Sequence, residues 1–340
     1  MTRIISFREA LRETLAERMS QDRKVLLIGE DIGLYGGAFG VTRGLFERFP
    51  DQIIETPISE NSFAGLALGA AMAGYRPVVE FMFMDFVSLA MDQIVDHAAK
   101  VHYVYGGQLN APMVIRLPGG GGRGYGASHS QSLEGWFIHT PGLIVLSPTT
   151  PQDAKGLLHS AMDENSPVIF VENKLLYDTK GHVPERPFRT PIGQLSVAGR
   201  GEDVTIAAYG RMMLAALEAR DILAELDISA EVLDLRSLKP LDADGIIESV
   251  SRTGQLVIVS EAPPSGGVAA EVAAVVAENC FDRLRAPVLR ISALDTPIPS
   301  SMRLEARVFP TAERIVESVT ESFKQYRYKG SPRTSDRTAA

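Results

Sequence analysis

Short runs of branched apolar residues recur through the first half of the chain, at residues 25–29, 52–55, 77–82, 112–117, 143–147 and 167–172. Each is about a strand long, and runs of this kind bounded by turn residues suit strands buried on both faces. Helix signatures fall between several of them. Thr150, Pro151 and Asp153 supply an N-cap hydroxyl, a first-turn proline and an early acid, and predict a helix over 154–162. Ser6 and Glu9 have the spacing of a capping box, so the first twenty residues read as an amphipathic helix. Strands alternating with helices predict a mainly parallel sheet covered on both faces.

The pattern breaks between Tyr177 and Asp203, where three prolines and four glycines mark a linker with room for one hairpin. A second alternating unit follows. Its strands are expected at 204–208, 230–235, 256–259 and 288–291, with helices at 212–226, 243–250, 268–279 and 312–323. The expected fold class is α/β, with two doubly wound, mainly parallel-sheet domains. Residues 1–180 form the first, 181–202 the linker and 203–326 the second; the polar stretch 327–340 reads as a disordered tail.

Composition narrows the function. The 34 basic and 42 acidic residues give a net charge of −8 with no lysine-arginine block, so neither nucleic acid nor an anionic membrane is an expected partner. The first residues lack the apolar core of a signal peptide, and no stretch suits a transmembrane helix. With a single cysteine, Cys280, no internal disulfide framework can form; a buried thiol in the cytoplasm is the expectation.

Familiar motifs are mostly missing. Residues 119–124 formally match G-x-G-x-x-G, but the following YGASHSQ does not open a helix, and no acid is placed for a ribose. There is no P-loop and no nucleophile elbow, and the six histidines lack zinc-ligand spacing.

Two residues stand out. Glu60 follows a strand end near Thr56, sits after the potential cap Ser59, and opens a helix made almost wholly of small and apolar residues. An acid there complements the helix dipole, worth about 0.3–1 kcal/mol. The same place, beyond a strand's carboxyl end, is also where ligands collect in open α/β sheets. His129, between serines in a glycine-dense loop, is either a surface histidine or a catalytic group carried by a loop that approaches a ligand closely.

These stretches sit within a longer likeness. GED with the glycine-rich run to Gly44, TPISENSFAGLALGAAMAGYRPVVEFMFMDF, MDQIVDHAAK, GGQLNAPMVIR, SHSQS, HTPGLIVLSPTTPQDAKGLL and PVIFVENKLLY resemble the β subunit of the decarboxylating component of 2-oxo acid dehydrogenase complexes, from about residue 4 to 325. That resemblance implies a transketolase-like pyrimidine-binding domain followed by a transketolase-type C-terminal domain. It implies thiamin diphosphate as cofactor. Glu60 matches the glutamate that hydrogen-bonds the aminopyrimidine, Phe86 the aromatic stacked on it, and Ile58 and Met82 residues that line it. His129 matches a histidine near the thiazolium, suited to proton handling or to holding the substrate.

No Gly-Asp-Gly, the family's usual Mg²⁺ and diphosphate anchor, occurs in the chain. Mg²⁺ is therefore expected mainly on an α subunit, within a two-α, two-β tetramer that passes its acyl group to a lipoyl-bearing acyltransferase core. A structural K⁺ held by backbone around Met113, Ala161, Glu164 and Ser166 follows by analogy. Oxidative decarboxylation of a 2-oxo acid is the expected reaction, with pyruvate first. Acetoin cleavage, a two-subunit transketolase-like transfer and a non-catalytic structural subunit are the alternatives.

Overall fold

The computed structural model describes residues 2–326, so the predicted disordered tail lies outside the described residues. The chain opens with β1 (Thr2–Ser6), which the helical reading of the N-terminus did not anticipate, and then α1 (Phe7–Gln21). The capping box forms as expected: Ser6 Oγ accepts from the Glu9 amide, and the Glu9 carboxylate accepts from the Ser6 amide. Phe7, Leu11, Leu15 and Met19 bury one face of α1. Each such side chain contributes roughly 1.5–3 kcal/mol relative to exposure.

The strands and helices β2 (Val25–Gly29), β3 (Ile53–Glu55), α2 (Glu60–Met72), β4 (Arg76–Glu80), α3 (Val101–Val104), β5 (Val114–Gly119), α4 (Glu134–Ile138), β6 (Ile144–Leu146), α5 (Pro151–Asp163) and β7 (Val168–Asn173) complete the first unit. β8 (Lys180–Pro184) pairs antiparallel with β1. The second unit comprises β9 (Ser196–Gly199), β10 (Val204–Ala208), α6 (Met212–Glu225), β11 (Ala230–Asp234), β12 (Ser237–Lys239), α7 (Ala243–Thr253), β13 (Leu256–Ser260), α8 (Val268–Asn279), β14 (Leu289–Ser292), α9 (Met302–Glu305) and α10 (Ala312–Tyr326).

The first sheet has the order β12-β6-β7-β5-β4-β2-β3 and is parallel except for β12. That edge strand comes from the second unit, a crossing too short for a sequence pattern to reveal. The second sheet runs β14-β13-β10-β11-β9, parallel except for β9. The stretch read as a linker with one hairpin therefore forms no hairpin: its ends, β8 and β9, pair with distant strands of different sheets.

One apolar core continues from the first unit into the second, including Ile28, Phe81 and Leu117 together with Leu233, Ile258 and Val272. Cys280 is buried within it, and burial raises its thiol pKa. Among the described residues no helix is long and apolar enough to cross a membrane.

Candidate active site

Because β3, β2, β4, β5 and β7 are adjacent and parallel, their carboxyl ends lie along one edge of the sheet. The connections run from β2 outward to β3 and then back across to β4, so chain direction switches between β2 and β4. Such a point leaves a crevice. Glu30 and Asp31 follow β2, Glu60 follows β3, the aromatic segment 81–86 follows β4, the glycine loop with His129 follows β5, and Lys174 follows β7.

Glu60 is 6% exposed at the first turn of α2, and no side chain donates a hydrogen bond to it among the described residues. Ser59 occupies the cap position without capping: its hydroxyl donates to Ser62 Oγ at 2.8 Å. The helix buries Phe63, Ala64, Ala67, Leu68 and Ala71, while Leu66 and Gly69 on its other face remain exposed. Its small and apolar composition therefore does not bury the helix on every side, because only one face meets the sheet.

Glu30, which the sequence marks only as part of the GED motif, is a strongly perturbed acid next to Glu60. It is 5% exposed, and its Oε1 is buried without a partner. Burial, with the neighbouring carboxyl groups of Glu60 and Asp31 adding to it, raises its pKa from 4.5 to about 7. The available signal was an acid immediately beyond a predicted strand, next in the sheet to the one preceding Glu60.

Phe86 and His129, 43 positions apart, meet edge to face with ring centroids 5.1 Å apart. Phe83 touches both, at 5.9 Å from Phe86 and 4.8 Å from His129. Met82 is half-buried in the same segment, whereas Ile58 is 76% exposed in the connection leading to α2. Ser128 Oγ lies 3.0 Å from His129 Nδ1. Asp85, beside Phe86, accepts from the amide and side chain of Gln131 at 3.2 and 2.9 Å, tying the aromatic segment to the His129 loop.

Lys174 escaped notice because a lysine after a strand is usually a solvated end. Here its ammonium is buried, donates to the His129 carbonyl, and lies over the rings of Phe83 (4.9 Å) and Tyr125 (5.5 Å). Burial pushes its pKa down to about 8, against the pull of Asp85 and Glu261.

Beneath the crevice, Arg116 on β5 bonds Glu172 on β7 through two nitrogens at 2.7 Å and also bonds Glu80 on β4. Tyr177 donates to Glu172 at 2.7 Å. Burial raises the Glu80 carboxyl pKa despite its arginine partner.

At the proposed K⁺ position, the Met113 carbonyl accepts from the Val168 amide at 2.9 Å and that of Ala161 from the Glu164 amide at 3.3 Å. The Glu164 carbonyl accepts from Arg76 at 3.1 Å, so a cation there would share it with a guanidinium.

Residues 3–180 match the transketolase pyrimidine-binding domain, and residues 193–315 match the transketolase C-terminal domain. The β subunit of acetoin:2,6-dichlorophenolindophenol oxidoreductase from Cupriavidus necator is 42% identical over 334 residues, covering 95% of this chain and 99% of that protein. The β subunit of the pyruvate dehydrogenase E1 component from Rickettsia felis is 44% identical over 316 residues, covering 93% and 97%. The chain belongs to this family of transketolase-type β subunits. A solved structure described as a split-gene transketolase, an inactive β4 tetramer, superposes with a TM-score of 0.77 at 26% identity, over 95% of this chain and 99% of that one. Glu60, Phe86 and His129 all fall inside the segment that matches the pyrimidine-binding domain.

Proposed function

We propose that this chain is the β subunit of a thiamin-diphosphate-dependent 2-oxo acid dehydrogenase and supplies the pyrimidine half of its active site. The reading rests on one observation: Glu60, Phe86 and His129 follow the carboxyl ends of β3, β4 and β5, on the two sides of the point where the connections of one parallel sheet reverse.

The residues suit the cofactor's pyrimidine. Among the described residues, no side chain donates to the buried Glu60 carboxyl group, and Glu30 presents a buried, unpartnered oxygen beside it. A protonated ring nitrogen would satisfy Glu60 through a charge-assisted hydrogen bond, about twice as strong as a neutral one. When bound, thiamin diphosphate would supply a carbon nucleophile and a cationic ring that takes up the electron pair left by decarboxylation. Glu60 would hold a proton on the ring nitrogen, Phe86 would offer an aromatic wall, and Met82 and Ile58 would line the ring. His129, held by its carbonyl to Lys174 and by its ring to Ser128, is placed to move a proton or hold a substrate carboxylate.

The metal and diphosphate half belongs to an α subunit, since the chain lacks a Gly-Asp-Gly anchor. A two-α, two-β assembly that delivers its acyl group to a lipoyl-bearing acyltransferase core completes the reading, in the cytoplasm. The exposed apolar face of α2 supports such a partner. The division into domains at 1–180 and 203–326 is part of the same proposal. K⁺ at the Met113–Ser166 carbonyls has less support, because Arg76 already brings positive charge to one of them.

Pyruvate is the favoured substrate; acetoin is the second reading, supported by the relative from Cupriavidus necator. The test is Glu60→Ala in the complete assembly, assayed by artificial-acceptor reduction with pyruvate, 2-oxoisovalerate, 2-oxoglutarate and acetoin. We expect kcat to fall at least ~100-fold on whichever substrate turns over, as for loss of a positioned acid-base or electrostatic group. Near-normal turnover would remove Glu60 from the chemistry.

A further inference from the structure

The glycine run that formally resembles a dinucleotide fingerprint is already occupied, by the protein's own carboxylates. The amide of Gly121 donates to Glu261 Oε1 at 2.7 Å. The amides of Gly122 and Gly124 donate to the two oxygens of Glu305, each at 2.7 Å. Gly120, Gly122, Gly124 and Gly126 all have positive φ, between +70° and +95°. That conformation turns successive N–H groups toward one side and makes a concavity suited to an anion. A side chain at Gly121 would overlap the Phe309 ring, and one at Gly122 would come within 2.6 Å of Leu175. Glycine is therefore required here both by backbone conformation and by close packing.

Both acids come from the second unit. Glu261 follows β13 and is shared with Asn173 Nδ2 at 2.7 Å and Arg211 at 3.2 Å. Glu305 ends α9 and is 2% exposed. Among the described residues it forms no ion pair, and its side chain accepts hydrogen bonds only from the two glycine amides. A carboxylate removed from water so completely is costly unless its acceptors are satisfied. Its partners stand 181 and 183 residues earlier in the chain, on the loop that carries His129.

We propose that Glu305 is a positioning residue, a clasp by which the second domain fixes the glycine loop and thereby sets the place of His129. The far end of the same loop is fixed by Lys174 on the His129 carbonyl and by Asp85 on Gln131. With Glu305 removed, the near end keeps Glu261 on the Gly121 amide and the Arg123 side chain on the Lys174 carbonyl, but the amides of Gly122 and Gly124 lose their partner, and glycine gives that stretch many alternative conformations. The role in turnover rests on the reading of His129 given above; the clasp itself does not.

The test uses the complete α–β assembly with Glu305→Ala and Glu305→Gln, and Glu278→Ala on the same domain as reference. Arg123 lies between the clasped amides, so trypsin cleavage after Arg123 reports loop release directly. We expect cleavage in Glu305→Ala to accelerate at least ~10-fold and kcat to fall ~10–100-fold, as for a misplacement of about 1 Å in a catalytic group. KM for thiamin diphosphate should change less than ~2-fold, because Glu60 and Phe86 are untouched. Glu305→Gln keeps one acceptor and falls between Ala and the parent. Hydrogen exchange of the unsubstituted assembly, needing no variant to fold, should find the amides of Gly121, Gly122 and Gly124 protected.

Fast exchange at those amides, or unchanged cleavage after Arg123, overturns the clasp. Release of the loop with kcat intact overturns its positioning role. If Glu60→Ala stays active while Glu305→Ala loses both protection and rate, the assignment of Glu60 fails and the clasp stands.

Discussion

Replacing Glu30 with glutamine should stabilise the folded chain, and only above mildly acidic pH. Glu30 is 5% exposed, and its pKa is raised from 4.5 to about 7 by burial and by the carboxyl groups of Glu60 and Asp31. In the unfolded chain the group ionises at its ordinary value. Between about pH 4.5 and 7 the folded state thus binds more protons than the unfolded one, and stability falls as pH rises through that window. A shift of about 2.5 pH units, at about 1.4 kcal/mol each, corresponds to ~3 kcal/mol of stability lost by pH 8. Glutamine stays neutral and avoids that loss. The assay is thermal unfolding of the full-length chain without its partner at pH 4.5, 6, 7 and 8. The difference between Glu30→Gln and the parent should grow from pH 4.5 to pH 8 and then level, reaching several degrees in midpoint at about 2–4 °C per kcal/mol. Glu60→Gln should shift the parent's transition toward lower pH, because it removes one of the charges acting on Glu30. A difference independent of pH, or one that grows toward acid, would refute the placement of Glu30 in a dry site against Glu60.

The isolated chain should bind no thiamin diphosphate in a Mg²⁺-dependent way by calorimetry; tight binding without an α subunit would contradict the divided site. Arg116→Met should destabilise the chain by roughly 3–5 kcal/mol in urea unfolding, because it leaves Glu80 and Glu172 buried without their cation. A triple replacement of Arg116, Glu80 and Glu172 by apolar residues of similar size should recover much of that loss.

Much of the local structure was written in the order of residues. The strands at Val25–Gly29 and Val204–Ala208 and the helix at Val268–Asn279 fall where hydrophobic pattern and caps put them. These elements are legible because their signals (apolar run, cap, breaker) lie within a few residues of one another. Glu60 was legible for the same reason, as an acid at a strand-to-helix junction. What pairs over distance was not. β12 joins the first sheet through three residues, and the ends of the supposed linker became strands only by finding β1 and β11.

The glycine run separates the two kinds of information most sharply. Its sequence specified a loop of unusual backbone freedom, since only glycine enters positive φ at little cost. It did not specify what that loop would bind. Residues 119–124 formally matched a cofactor fingerprint without the helix or the acid that would support it, and His129 read as a surface residue or a catalytic one. Tertiary structure decided the first by bringing Glu261 and Glu305 to amides 140 to 183 positions away, and it set the His129 ring against Phe86. The physical reason is that a buried carboxylate and an unpaired amide each carry a large desolvation cost, which is offset only when folding brings the two together.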